Sequence, residues 1–161
     1  MKNYKNEEIK YSGCPACAYG NHEFSLPCGI AYESNNFILS QDWELPIEGF
    51  FVISPKRHIE KLSELTISEK SELFEIIDKT IEILTSNNIC DYFNIIMPSK
   101  SGRHFHVWIM PRYPWMRDLG ENIMINLKMI FDYAKNNFRT EEVYNKINNI
   151  TDIVRKGFES K

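Results

Sequence analysis

Several features are missing from this sequence, and each absence narrows the class of protein. No apolar run is long enough to cross a bilayer and no cleavable signal pattern opens the chain, so we expect a cytoplasmic protein with no membrane partner. A net charge of −3 gives no reason to expect binding to nucleic acid. Internal repeats and low-complexity segments are also absent, and 161 residues are then expected to form one domain.

Cysteine and histidine are scarce, with four of each. In a cytoplasmic chain the thiols are expected to be reduced or bound to metal rather than paired in disulfides. Cys14 and Cys17 form a C-x-x-C pair, in which two thiolates can reach one zinc ion. Redox proteins use the same spacing, but there the pair belongs to a βαβ unit, and no βαβ pattern follows Cys17 in this sequence. Zinc binding and redox chemistry are thus the two interpretations, and the context favours zinc.

Two of the histidines stand two residues apart in an alternating segment, residues 104–110. Phe105, Val107 and Ile109 share one parity, while His104, His106, Trp108 and Met110 share the other. In a strand these sets point to opposite faces, so one face is predicted to pack on a core and the other to carry the imidazoles and the indole. A metal pair or a core hydrogen bond would also explain a histidine here.

The segment before these histidines, residues 99–103, contains two serines, a glycine and two cations. Hydroxyls, backbone amides and cations together suit a phosphate group. A phosphate loop that runs into a histidine strand indicates nucleophilic or phosphoryl chemistry more specifically than either part alone.

Periodicity predicts the scaffold around these motifs. Short strands are expected at residues 30–32, 37–39, 50–53 and 92–97, and a helix is expected after the capping box formed by Thr66 and Glu69. Residues 119–138 and 141–156 carry apolar side chains at helical spacing. These C-terminal helices could cover the sheet, build a homodimer or close the site, and the sequence does not decide among the three.

The motif over residues 104–110 resembles that of the histidine triad (HIT) superfamily, His-x-His-x-His-x-x, with Trp108 in place of the third histidine. Residues 51–58 are similar to the family's apolar strand ending in Pro-Lys-x-His, and residues 62–66 to the segment that follows it. The resemblance covers roughly residues 13–116. It implies an α+β fold: an antiparallel HIT-like sheet with a helix packed on it, plus C-terminal helices.

The resemblance also implies an organisation into three parts. A flexible arm is expected over residues 1–12, the HIT-like domain over residues 13–116, and a helical extension packed on that domain over residues 117–161. Zinc-bearing branches of the family, including the uridylyltransferases, have a similar C-x-x-C near the start. By this resemblance the ligands of one structural zinc are Cys14, Cys17, His58 and His104. His22 is a competing ligand, disfavoured by its polar loop.

The family's nucleophile falls on His106, and its phosphate-contacting serine falls on Ser101. Lys100 and Trp108 are expected to contact phosphate as well. Asp42 stands at the spacing of the family's ribose-binding carboxylate, although a turn former is the other interpretation of that residue. Asn94, on the predicted strand over residues 92–97, is expected to point into the site.

These assignments imply a hydrolase or nucleotidyltransferase that acts on a dinucleoside polyphosphate or similar anhydride through a nucleotidyl-histidine. The indole of Trp108 can donate a hydrogen bond but cannot serve as a general acid. That property favours substrates whose leaving group is already a good anion. The alternative is a zinc-stabilised nucleotide-binding protein with little or no turnover.

Overall fold

A five-stranded antiparallel sheet forms the centre of the chain in the computed structural model, which describes residues 1–98 and 103–160. A 3-10 helix spans Leu62–Glu64. The other described elements are α1 Pro15–Gly20, β1 Ile30–Glu33, β2 Phe37–Gln41, β3 Phe51–Pro55, α2 Ile67–Ser86, β4 Phe93–Ile96, β5 Val107–Pro111, α3 Pro114–Asp118, α4 Ile123–Asn137 and α5 Glu141–Glu159. The predicted α+β class is confirmed.

The strand order is β1-β2-β3-β5-β4, and every pairing is antiparallel. Strand β5 therefore lies between β3 and β4, with Val52 of β3 and Ile96 of β4 both opposite Trp108. Residues directly opposite one another share a face of the sheet. The segment that carries the histidines consequently enters the sheet at an interior strand.

Both faces of the sheet are covered. Helices α2 and α5 pack on the face of Val107 and Ile109, where a buried apolar cluster extends from the sheet to both helices. Helix α4 packs on the opposite face, where Met110 lies in a second apolar cluster with Ile130. The structure shows two of the three roles open to the C-terminal helices: both cover the sheet, and α4 also contributes Phe131 and Lys135 to the wall of a cavity on its face. No helix among the described residues has the length and apolar character needed to span a membrane.

The capping box at the start of α2 also fixes the segment that precedes it. The Thr66 hydroxyl accepts from the Glu69 amide at 3.2 Å, and the Glu69 carboxylate accepts from the Thr66 amide at 2.7 Å. Arg57 pairs with the same carboxylate at 2.8 Å and also donates to the carbonyl of Glu64. These hydrogen bonds lower the pKa of Glu69 to about 2. The same hydrogen bonds fix the position of Arg57, which directly precedes His58 in the chain.

The N-terminal segment, predicted as a flexible arm, is packed against the domain. Tyr4 is fully buried and Ile9 nearly so, and the Ile9 amide donates to the Met1 carbonyl at 2.7 Å. The Tyr4 ring lies against Tyr144 of α5, with 5.9 Å between ring centroids. Met1 and Tyr11 pack against the same apolar cluster as Tyr4 and Ile9, to which α5 contributes Tyr144 and Ile147, and this contact docks the otherwise polar segment.

Candidate metal centre and active site

The C-x-x-C pair lies at the start of the short helix α1. Cys14 caps that helix, Pro15 occupies its first turn, and the Ala18 amide donates to the Cys14 carbonyl at 3.0 Å. Proline suits this position because its fixed φ is already helical. One helical turn thus presents the thiols of Cys14 and Cys17 side by side.

Two imidazoles meet these thiols. The Cys17 sulfur lies 3.3 Å from Nδ1 of His58 and 3.4 Å from Nδ1 of His104, and the Cys14 sulfur lies 3.5 Å from Nδ1 of His104. All four potential ligand atoms lie within 4.8 Å of one another. Tetrahedral zinc with its usual bond lengths places sulfur and nitrogen ligands about 3.5 Å apart. The donor set and its spacing therefore fit one zinc ion.

A hydrogen bond donated by His104 orients its ring so that Nδ1 can bind a zinc ion. Its Nε2 lies 2.7 Å from the carbonyl oxygen of Pro55, which can only accept, so Nε2 carries the hydrogen and Nδ1 keeps its lone pair. Burial lowers the pKa of His104, which favours the neutral imidazole that binds metal. Burial and the neighbouring Cys14 raise the pKa of the Cys17 thiol to about 11. A bound cation would stabilise the thiolate that the protein alone does not.

The competing ligand and the remaining cysteines lie elsewhere. His22 pairs with Glu33 at 3.1 Å and is not part of the four-residue cluster. Cys28 is buried in the apolar cluster around Tyr4, and Cys90 donates to the carbonyl of Tyr92 at 3.1 Å. Within the described residues, the structure brings together the four predicted ligands and leaves His22 out.

A hydrogen bond to a nearby backbone carbonyl holds His106 in one tautomer. Its Nδ1 lies 3.0 Å from the carbonyl oxygen of His104, so Nδ1 carries the hydrogen and the neutral ring keeps a lone pair on Nε2. Nε2 makes no hydrogen bond to any described residue. The ring lines a cavity of about 740 Å³, which is within the usual range for small-molecule sites.

Trp108 lines the same cavity and is also packed. Its ring contacts Phe50 and Phe131 edge-on, with 5.7 and 5.8 Å between centroids, and lies 5.8 Å from the ring of His106. The parity prediction for His106 and Trp108 therefore holds, although the strand begins at Val107 and not at His104. The Phe105 amide donates to the Ile59 carbonyl at 2.7 Å, outside the pairing between strands, which explains the later start.

Asp42 lines the cavity after β2, and one of its oxygens builds a turn. Oδ1 accepts from the amides of Glu44 and Leu45, both at 2.9 Å, while Oδ2 makes no hydrogen bond to any described residue. Burial raises the pKa of this carboxyl from 3.8 to about 6, against the opposing effect of the two amides. Both interpretations of Asp42, turn former and ligand contact, are thus compatible with its position.

We expect Asp42→Asn to stabilise the protein above pH 6. Asparagine retains the oxygen that accepts from the two amides and removes a charge that burial disfavours. The folded carboxyl binds its proton more tightly than the unfolded one, so wild-type stability falls relative to the variant as pH rises from about 4 to about 6. The difference should reach at most about 3 kcal/mol. Urea unfolding of both proteins between pH 4 and pH 8 measures it.

Asp42→Ala is the matched control for the turn. It also lacks the titrating group, but it leaves two amides without their acceptor and should cost about 1–2 kcal/mol at every pH. A stability difference between wild type and Asp42→Asn that stays constant over this pH range would contradict the assigned burial of the charge.

Of the predicted contacts, Asn94 is described and is not placed in the cavity. Asn94 pairs with Met110 across β4 and β5, on the face of Trp108, but it does not line the cavity; its Nδ2 is buried without a described partner. Lys100 and Ser101 lie outside the described residues, so their phosphate contacts stay predictions.

The sequence left open whether the C-terminal helices close the site, and it did not identify the residues of α4 that line it. Phe131 and Lys135 of this helix line the cavity, opposite the sheet face that carries His106. Phe131 is one of the apolar residues at helical spacing over residues 119–138, and that pattern carries no information on which part of the sheet the helix covers. Lys135 gave no signal at all.

The fold is that of the histidine triad proteins, and the chain is a homologue of a HIT-like protein. The sequence is 28% identical over 107 residues to an uncharacterised HIT-like protein of Methanocaldococcus jannaschii, a match that covers 62% of this chain and 79% of that protein. No protein-family model matches the chain. The resemblance inferred from the motifs is thus confirmed by an independent sequence match.

Solved structures agree on the fold. A zinc-bound histidine triad family protein from Mycobacterium smegmatis is 15% identical, covers 91% of this chain and 94% of its own, and superposes with a TM-score of 0.63. A hypothetical histidine triad nucleotide-binding protein from Sulfolobus tokodaii is 20% identical with a TM-score of 0.59, covering 91% of this chain and 92% of its own. A HIT family protein from Bacillus anthracis is 22% identical with a TM-score of 0.57, covering 79% of this chain and 98% of its own.

Proposed function

We propose that this protein is a nucleotidyl hydrolase or transferase that attacks the α-phosphate of a dinucleoside polyphosphate or a similar nucleotidyl anhydride. The observation that carries the proposal is the state of His106. Its hydrogen bond to the His104 carbonyl leaves the lone pair on Nε2, and the ring lines a cavity large enough for a nucleotide. A neutral imidazole is a good nucleophile at neutral pH, since its ordinary pKa is about 6.5.

The reaction would proceed in two displacements. The Nε2 lone pair of His106 forms a bond to the α-phosphorus, the bond to the bridging oxygen breaks, and the remaining nucleotide or phosphate leaves as an anion. Nδ1 keeps its hydrogen bond to the His104 carbonyl while the ring carries the positive charge. Water or an acceptor hydroxyl then attacks phosphorus and gives up its proton, and neutral His106 is released. Ser101 and Lys100 are proposed to hold the non-bridging oxygens.

A structural zinc ion is part of the proposal. Cys14, Cys17, His58 and His104 would hold it, and the spacing of their ligand atoms supports this set. Four protein ligands leave no open coordination position, so the ion would supply cross-linking and not activated water. His104 would then fix the position of the carbonyl that orients His106.

The nucleoside end of the substrate is proposed to lie against Asp42. Its free Oδ2 can accept hydrogen bonds from ribose hydroxyls, and the neighbouring Trp43 and Leu45 offer apolar surface to the base. Asn94 lies on the sheet face of Trp108 but outside the lining of the cavity, and its nucleotide contact stays a prediction.

A second candidate function is nucleotide binding without turnover. Trp108 favours it, because an indole N–H can hold a phosphate oxygen but cannot protonate a leaving group. One experiment separates the candidates. The protein is incubated with a panel of dinucleoside polyphosphates and nucleotide sugars, quenched, and analysed by mass spectrometry for products and for a nucleotidyl adduct. Products and an adduct support the enzyme, and bound but unchanged nucleotide supports the second candidate.

Trp108→His is expected to change the choice of leaving group. The new imidazole can protonate an amine leaving group. The rate of cleavage of nucleotidyl phosphoramidates should therefore rise relative to the rate for anhydrides. General acid catalysis typically contributes about 10²–10⁴-fold, which sets the upper limit of the change. The loss of ring contacts with Phe50 and Phe131 should cost about 2–4 kcal/mol of stability. Rates on both substrates and the melting temperature are measured together.

Trp108→Phe is the matched control, because it keeps an aromatic ring between Phe50 and Phe131 and offers no proton. We expect it to retain most of the stability and the wild-type substrate ratio. If the histidine variant loses stability while its substrate ratio equals that of wild type, Trp108 acts in packing alone.

A further inference from the structure

Helix α4 exposes an apolar surface on the side turned away from the sheet. Its buried residues, which belong to the apolar cluster around Met110, are Ile123, Ile130 and Ala134. Its exposed residues include four large apolar side chains, from 38% to 78% accessible: Met124, Ile125, Met129 and Tyr133. No other helix among the described residues exposes more than two. Monomeric proteins rarely leave apolar side chains clustered in this way, and such a cluster marks an interaction site.

Three of these side chains form one ridge along the helix. Ile125, Met129 and Tyr133 follow each other at intervals of four residues, which places them on successive turns of the same face. The Tyr133 ring is held at one end of the ridge, stacked on Trp115 of α3 with 5.3 Å between centroids and edge-on to Phe138 at 5.6 Å. Methionine and aromatic rings are enriched at protein–protein interfaces, and a ring that is already held in place loses little entropy on binding.

The ridge and the charges beside it match their own image under a two-fold rotation. Ile125 and Tyr133 stand four residues before and after Met129, so two antiparallel copies of α4 that cross at Met129 place Ile125 against Tyr133 of the partner subunit. Lys128 and Asp132, an exposed ion pair of opposite charges, flank the ridge on one side. In the same arrangement Lys128 and Asp132 of the partner subunit are two residues out of register, which is about 3 Å along the helix axis. The surface is therefore complementary to itself in both apolar shape and charge.

We propose that the outer face of α4 is a homodimer interface, on which a second copy of this chain packs antiparallel across Met129. A two-fold axis is the commonest symmetry of soluble oligomers, and it requires the self-complementarity that this face has. The same helix contributes Phe131 and Lys135 to the wall of the cavity, so the dimer contact would also hold one wall of the site in place. The inference concerns the outer face of α4 and stands independently of the proposed reaction.

The dimer dissociation constant of the full chain, measured by analytical ultracentrifugation, tests the apolar ridge. Wild type is expected to dimerise. Met129→Lys places two like charges at the axis and should raise the dissociation constant about 30-fold or more. Phe74→Lys is the matched control, because Phe74 of α2 is exposed to a similar extent and lies away from α4; it should leave the constant unchanged. Thermal melting of both variants checks that they are folded.

A mixture of two charge variants tests the two-fold arrangement. Lys128→Glu and Asp132→Lys should each weaken self-association, because each variant carries charges of one sign beside the ridge. An equimolar mixture of the two should associate about 10-fold more tightly than either alone, since only the contacts between copies become attractive while each helix keeps its own like charges.

Three results would each overturn the proposal. Wild type that stays monomeric at the highest concentration reached would show that the face has no second copy as its partner. A dimer that Met129→Lys leaves intact would use another surface of the chain. A mixture that associates no more tightly than its two components would show that Lys128 and Asp132 do not meet across a two-fold axis.

Discussion

Zinc-free protein is expected to lose about 4 kcal/mol or more of stability, which corresponds to a fall of about 10–15 °C in melting temperature for a chain of this size. The four ligands belong to α1, to the segment after β3 and to the segment before β5, so one ion would connect three separate parts of the fold. Structural zinc contributes about 10–16 kcal/mol apparent in zinc-finger peptides. The effect here should be smaller, because a large apolar core remains.

Metal analysis of purified protein beside Cys14→Ser is the measurement. We expect one zinc per wild-type chain, its loss in the variant, and the same fall in melting temperature as a chelator produces. Cys90→Ser is the matched control, since Cys90 lies outside the cluster and should keep both metal and stability. Stoichiometric zinc in Cys14→Ser, or carefully prepared wild type without metal, would refute this ligand set.

His106→Ala is expected to lower turnover by about 10⁴-fold or more while nucleotide binding persists. Removal of a nucleophile abolishes the covalent route and leaves only the binding interactions to assist water. Asp42, Trp43 and Lys135 line the cavity independently of this ring and should hold the nucleotide. The variant should also lose any mass increase that quenched wild type shows with substrate.

His22→Ala is the control for this variant, because His22 lies outside the cavity and pairs with Glu33. It should retain turnover and adduct. Activity of His106→Ala close to that of wild type would exclude the mechanism. Loss of nucleotide binding together with turnover would mean that the ring is needed to shape the cavity.

Local patterns predicted most of the scaffold. The capping box of Thr66 and Glu69 marks the start of α2 correctly, and the alternation over residues 104–110 assigns Val107 and Ile109 to a buried face. The start of β5 could not be predicted from the alternation of side chains. The Phe105 amide donates to the carbonyl of Ile59, a residue distant in sequence, and so does not take part in strand pairing. Packing of Tyr4 on α5 was missed for the same reason: a long-range contact overrides a polar local composition.

The candidate metal centre was accessible through the resemblance to a family and not through spacing alone. A C-x-x-C pair identifies two ligands, but nothing near it in the sequence names His58 or His104. The place of Lys135 in the lining of the cavity was not accessible by either route. Helix α4 covers the site because Phe131 packs against Trp108, and this long-range contact cannot be predicted from the residue type at position 135.

The ligands of the metal centre are far apart along the chain: Cys17 and His58 are 41 residues apart, and Cys14 and His104 are 90 apart. Closing loops of this length has an entropic cost that must be met before the contacts can form, so such contacts arise late in folding. A growing chain on the ribosome would carry its thiols long before His104 is made. The metal would then stabilise a fold that is already nearly complete, in keeping with the apolar core that remains without it.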